Sequence, residues 1–141
     1  MTYFFDGFNY LVRLEKGDLL VQQLTELVKQ EKIKGAWISG LGGALWAELG
    51  FYQLETKEYE WKRLEKLLEI TSLQGNVAWA DSEPMLHVHG AFSDQNMQAF
   101  GGHVKELAVA GTCEVFLHLM QRDQPLTRSL SSDIGLKLLG V

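Results

Sequence analysis

The sequence predicts an α+β fold: a central antiparallel or mixed sheet of about seven or eight strands with a major helix and shorter helical segments, forming a compact single domain over residues 1–141. Three observations carry that prediction. Extended runs with alternating apolar residues recur along the chain, whereas only one segment has a clear helical stripe. No linker, internal repeat or low-complexity stretch divides the 141 residues. The hydrophobic fraction of 46%, with 11% aromatic residues, fills a core without help from disulfides.

Phe8 to Leu14 alternates as a first strand, and Glu15-Lys16-Gly17-Asp18 then turns the chain. Asp18 stands ahead of Leu20, Leu24, Leu27 and Val28, whose three-to-four spacing predicts a helix over residues 18–30 with Asp18 as its cap. Gly35 to Gly40 reads as a short strand entering the loop Gly40-Leu41-Gly42-Gly43. That loop lacks a following Lys-Ser or Lys-Thr pair and a helix behind it, so it reads as tight backbone packing or a site-lining turn, not a phosphate cradle.

Leu45 to Tyr52 resumes as a strand, and Glu55 to Trp61 forms a strand pair or turn. Lys62 to Leu68 suits a short helix or a reshaped strand, and Glu69 to Trp79 returns to sheet with Gly75-Asn76 as a bulge or turn. Pro84 opens a strand through His87 and His89 that extends toward Ser93. Asp94 to Phe100 is a polar connection, and Gly101 and Gly102 mark a bend before His103. Gly111 to Met120 alternates over its second half, Ser129 to Asp133 is a polar turn, and Ile134 to Leu139 is the final strand.

Three of the four histidines lie in Leu86-His87-Val88-His89-Gly90 and Gly101-Gly102-His103. A strand puts His87 and His89 on one face, and His103 joins them if the intervening segment folds back. Three imidazoles with water is an open zinc arrangement, so His87, His89 and His103 are candidate ligands for zinc or another divalent metal. The other reading is a set of hydrogen-bonded histidines beside a sheet. Glu48, Glu69, Asp81 and Glu114 are candidates to receive an imidazole N–H or activate a bound water. Glu114 comes first because it interrupts the apolar run Cys113 to Leu119, in phase with Phe116 and His118. Arg13, Arg63, Arg122 and Arg128 could hold an anion but do not cluster in sequence. Ser39 and Ser93 lie outside any Gly-x-Ser-x-Gly turn, and Trp37, Trp46, Trp61 and Trp79 read as core or subunit-contact residues.

Thirteen basic against eighteen acidic residues give a formal charge of -5, which argues against direct nucleic-acid binding by this chain. The lysines near Lys32 and Lys62 are interrupted by Glu31 and Glu65. Cys113 is the only cysteine and reads as a packed residue, excluding an intrachain disulfide or thiolate cluster. The absence of a basic leader or a spanning apolar run sets the expectation of a cytoplasmic protein without membrane contact.

The ordered set of motifs resembles the plants and prokaryotes conserved (PPC) domain family. It comprises Arg13-Leu14-Glu15-Lys16-Gly17-Asp18, Ile38 to Ala44, Leu49-Gly50-Phe51-Tyr52, Lys57-Glu58-Tyr59, Glu69 to Asn76, Leu86 to Gly90, Gly101-Gly102-His103, Thr112 to Val115 and Gly135-Leu136. The resemblance implies a central antiparallel sheet, assembly as a homotrimer, and His87, His89 and His103 as metal ligands near a subunit boundary. A trimer would also account for the aromatic load. The basic AT-hook segments fused to plant members are absent here, so their chromatin role does not transfer. Gly90 replaces the alanine common after the paired histidines and reads as a change toward flexibility. The leading expectation is a small homotrimeric domain with a histidine-lined metal or small-molecule ligand site. The alternatives are a metal-dependent hydrolase or lyase using metal-activated water, with Glu114 or Glu69 moving the proton, and a DNA-associated or oligomerisation module acting through a partner.

Overall fold

The computed structural model describes residues 1–141. Nine strands and one helix follow in the order β1 (Thr2–Phe5), β2 (Asn9–Glu15), α1 (Leu20–Gln30), β3 (Ala36–Gln53), β4 (Glu58–Leu64), β5 (Leu68–Ala80), β6 (Glu83–Ser93), β7 (Ala99–Leu119), β8 (Arg128–Leu130) and β9 (Lys137–Leu139). Seven strands form one antiparallel sheet in the order β1-β2-β7-β6-β5-β3-β4, and β8 pairs with β9 in a separate hairpin. The long strand β7 also pairs with β3, so β3, β5, β6 and β7 close on one another. No helix is long and apolar enough to cross a membrane.

The core lies between α1 and the inner face of the sheet. Leu20, Leu24, Leu27 and Val28 bury the helical stripe, as their spacing predicts, against inward residues such as Val12, Leu14, Val115 and Leu117. Burial of these side chains supplies most of the driving force, about 1.5–3 kcal/mol for each large apolar group. Cys113 belongs to this core, and burial pushes its thiol up to about 12.

Several sequence expectations are corrected. The shorter helical segments are absent: α1 is the one helix, and Lys62 to Leu64 ends the strand β4. Alternation in Lys62-Arg63-Leu64 was ambiguous alone, and pairing with Ala47 to Leu49 decides it. The Gly40–Gly43 loop is a bulged stretch within β3, whose neighbours on β5 and β7 hold it extended. Gly101 and Gly102 make no bend either. A side chain at Gly101 would stand 2.5 Å from the Gly90 carbonyl oxygen, so glycine permits β6 and β7 to lie close together.

Asp18 does not cap α1. Its carboxylate accepts the Glu15 N–H and pairs with the Met1 ammonium, while the helix starts after Leu19 without a local side-chain cap. Glu106 on β7 does the work instead. Its two oxygens accept the N–H groups of Val21 and Gln22 at 2.8 and 3.0 Å, satisfying donors that the first turn leaves open.

Candidate metal centre

Adjacent strands assemble the site by register. His89 on β6 lies directly opposite His103 on β7, and His87 lies opposite Asn76 on β5. Since the period of a strand is two, His87 and His89 share the outer face while Val88, Gly90 and Phe92 point inward and are buried. The three rings meet with centroids 5.0, 5.2 and 5.4 Å apart. The segment between His89 and His103 does fold back, and the three predicted residues converge.

Each imidazole offers a ligand atom, and those three atoms lie within 4.8 Å of one another. The Nε2 atoms of His87 and His89 are 3.2 Å apart. Two nitrogens bound tetrahedrally at about 2.0–2.1 Å from one zinc would stand roughly 3.3–3.4 Å apart, so this pair needs little rearrangement. His103 Nδ1 is buried with no hydrogen-bond partner. A native core rarely leaves such a nitrogen unpaired, and a metal ion would satisfy it. The residues fit a divalent ion.

Electrostatics keep the rings ready for that role. Burial, then the charges of His87, His89 and Arg128, push His103 down to about 4. Burial followed by Arg128 and His89 also lowers His87. Both rings are therefore uncharged near neutral pH, the form that donates a lone pair.

An aromatic wall flanks His103. Tyr59 stacks on Trp61 at 4.6 Å, and the Tyr59 ring centroid lies 5.0 Å from that of His103. Gly50 supports this wall: a Cβ there would stand 2.6 Å from Trp61 and 2.8 Å from Tyr59. On the other side the C-terminal segment reaches over the site. Arg128 Nη2 donates to Asn76 Oδ1 at 2.7 Å and lies 3.3 Å from His87 Nδ1, and Nη1 donates to the Lys137 carbonyl at 2.9 Å. Tyr52 donates to the Ile134 carbonyl at 2.6 Å and Lys57 to that of Ser132 at 2.8 Å, pinning the hairpin.

None of the acidic candidates joins the cluster. Glu48 accepts Lys105 Nζ and Asp81 pairs with Lys137. Glu69 lies opposite Ser93, toward the end of β6 away from the rings, and Glu114 is exposed between Arg13 and Leu41 on neighbouring strands. Glu114 and His118 do share the outer face, but apart from the three histidines. Sequence spacing offered Arg128 only as one of four unclustered arginines and missed Asn76 and Tyr59, since nothing local marks which distant strands fall beside β6. Gly90 is also re-read: its inward face meets Phe92, so it is a packing position, not a source of flexibility.

Residues 1–120 match the profile of the Plants and Prokaryotes Conserved (PCC) domain, the PPC family of the motif resemblance. The chain belongs to this family. Among solved structures, the PCC chain is similar to a metal-containing protein from Archaeoglobus fulgidus, at 35% identity and TM-score 0.86, covering 100% of this chain and 99% of that one. It is similar to a protein from Ralstonia eutropha, provisionally described as DNA-binding, at 31% identity and TM-score 0.91, covering 99% and 95%. A Bacteroides thetaiotaomicron protein with the same provisional description shares the fold at 24% identity and TM-score 0.94, covering 99% and 96%. None of the curated proteins matches the PCC chain.

The description of the Ralstonia eutropha protein, at 31% identity, overturns the expectation that direct nucleic-acid binding is disfavoured. The expectation rested on a net charge of -5, and a whole-chain sum does not bound the charge of any one surface.

Proposed function

We propose that this PCC domain is a homotrimeric metal-binding module in which His87, His89 and His103 hold one divalent ion, with zinc the first candidate and a fourth position left for a small ligand. The observation that carries the reading is the convergence of three imidazoles whose ligand atoms lie within 4.8 Å of one another, with the buried Nδ1 of His103 left unpaired. The metal-containing relative from Archaeoglobus fulgidus, at 35% identity, supports it. A bound ion would act as a Lewis acid toward that fourth ligand. Because no carboxylate stands in the cluster to move a proton, the reading is ligand binding in preference to hydrolysis.

The outer sheet face supports the homotrimer. Phe4, Leu11, Trp37, Leu41 and Phe116 lie on neighbouring strands of that face and are exposed. Trp37 donates to Gln74, which lies opposite His89, so the apolar patch runs up to the histidines. A contiguous patch of this kind marks an association surface. In this reading residues 121–141, whose hairpin covers the site, belong to the domain over its whole span 1–141.

Elemental analysis of protein purified without an affinity tag, beside its His87→Ala variant, tests the metal. About one zinc per subunit in the parent and none in the variant is expected for a three-ligand site. No metal in either after reconstitution would refute the reading.

A second reading, DNA association, is favoured by the description of the Ralstonia eutropha protein at 31% identity. Fluorescence anisotropy with duplex DNA at low and raised salt tests it. Salt-sensitive binding supports direct contact, and its absence at low salt removes direct contact.

A further inference from the structure

We propose that the histidine centre takes up its metal together with a small oxyanion, and that Arg128 on the C-terminal hairpin couples the two. The inference rests on the metal-binding reading and names the class of the fourth ligand.

The starting point is the charge of the site. Its ligand set is three histidines with no aspartate, glutamate or cysteine among them, so no ligand offsets the charge of a divalent ion. The acids that could do so from neighbouring positions are engaged elsewhere, Glu48 with Lys105 at 2.8 Å and Asp81 with Lys137. The charged side chain that does reach the cluster is a cation, Arg128, 3.3 Å from His87 Nδ1.

Nothing neutralises that guanidinium. Its acceptors are the Asn76 amide and the Lys137 carbonyl; His87 Nδ1 carries the ring proton once Nε2 ligates a metal and then accepts nothing from the arginine, whose Nε–H is itself buried with no acceptor. Arginine is donor-only and keeps its charge at all ordinary pH. A dication held by the rings would therefore share a half-buried site with a second, fixed positive charge. A neutral fourth ligand leaves that repulsion in place, whereas a carboxylate or phosphate oxygen on the metal is attracted by both charges.

Geometry makes this a built arrangement. Arg128 is clamped by two contacts besides His87, and its hairpin is tied down through Tyr52 and Lys57 on the β3–β4 side of the site. The arginine also comes from beyond residues 1–120, the part matched by the family profile.

Coupling of this kind is reciprocal, so the anion must tighten the metal by the same factor that the metal tightens the anion. The test titrates the full chain with Co2+, read by its visible absorption, in buffer without oxyanion and then with acetate, phosphate or neutral imidazole. The expected result is a Co2+ affinity about tenfold higher with acetate or phosphate, the order produced by one unit charge some 10 Å away at an effective dielectric of about 20. Whichever of the two anions gives the larger gain identifies the carboxylate or the phosphate source. In Arg128→Gln the gain should shrink below about threefold, in Arg128→Lys it should persist, and the effect of imidazole should be alike in all three.

Equal oxyanion gains in parent and Arg128→Gln would overturn the proposal, as would a parent indifferent to both anions. Should Arg128→Gln fail to fold by near-ultraviolet circular dichroism, the parent's own response decides, with indifference refuting and a gain restricted to the anions supporting it. A parent that binds no Co2+ at all refutes the metal reading itself, whereas one that binds it with no anion effect refutes only this inference.

Discussion

Replacing Gly90 by alanine should destabilise the fold. An added Cβ would lie 2.6 and 2.7 Å from two carbons of the Phe92 ring and 3.1 Å from Val104. Phe92 is 0% exposed and stacks near Phe100 with centroids 6.3 Å apart, so its ring can make room only by moving against buried neighbours. Overpacking of this kind costs about 1–3 kcal/mol, against about 0.4–1 kcal/mol gained from a stiffer unfolded chain. A net loss of roughly 1–2 kcal/mol is expected. Phe92→Leu removes the clashing atoms, so the double variant should be more stable than the sum of the single losses by about 1 kcal/mol or more. Urea denaturation of metal-free protein, followed by tryptophan fluorescence and analysed at equal m, measures all four states. Additive losses to within about 0.5 kcal/mol, or a neutral Gly90→Ala, would refute the packing argument.

Gly75→Ala should do more harm, because its Cβ would approach the carbonyl oxygen of His87 and the α-carbon of Val88, which are backbone atoms. A lower denaturation midpoint together with weakened metal uptake is expected, and a wild-type metal titration would count against it. Glu106→Gln should lower stability by about 0.5–2 kcal/mol through loss of the charge at the helix start, measured by the same denaturation. Lys66 first, then the Asn96 and Gln98 N–H groups, holds the Asp94 carboxyl below its ordinary value of 3.8. A depressed carboxylate contributes stability above its unfolded value and loses it as pH falls through the folded value, so Asp94→Asn should flatten the acid limb below about pH 4. The proposed homotrimer is tested by Phe116→Glu, which places a charge amid the exposed apolar face: the parent is expected to sediment as a trimer and the variant as a monomer with its secondary structure intact, and equal sedimentation of the two would count against the proposed surface.

What the sequence made legible was local. The helical stripe from Leu20 to Val28 and the alternation about His87 and His89 report burial on one side of an element, and both are found where spacing puts them. The convergence of His103 was inferable because a glycine-flanked histidine after a strand is an uncommon combination. What remained hidden depends on pairings across long separations. Glu106 looked like an ordinary acid in a mixed stretch, and Arg128 an isolated arginine near the C-terminus, until β7 and the β8–β9 hairpin set them against α1 and β6. The glycines misled for the same reason: Gly101 and Gly102 carry turn signals in sequence, whereas close approach of neighbouring strands is what they serve.

The cap that Glu106 places on α1 fixes an order of events. The helix occupies residues 20–30, but the acceptor for its first donors is supplied 85 residues later, on a strand held by β2, β3 and β6. Until β7 docks, an eleven-residue helix lacks its cap and the part of its apolar surface that Val115 and Leu117 supply, and such a helix is marginal in water. During synthesis the helical segment therefore leaves the ribosome well before it can consolidate, and an N-terminal fragment ending ahead of Glu106 would not hold it. High contact order follows, with the first-made helix completed by a strand made late in the chain.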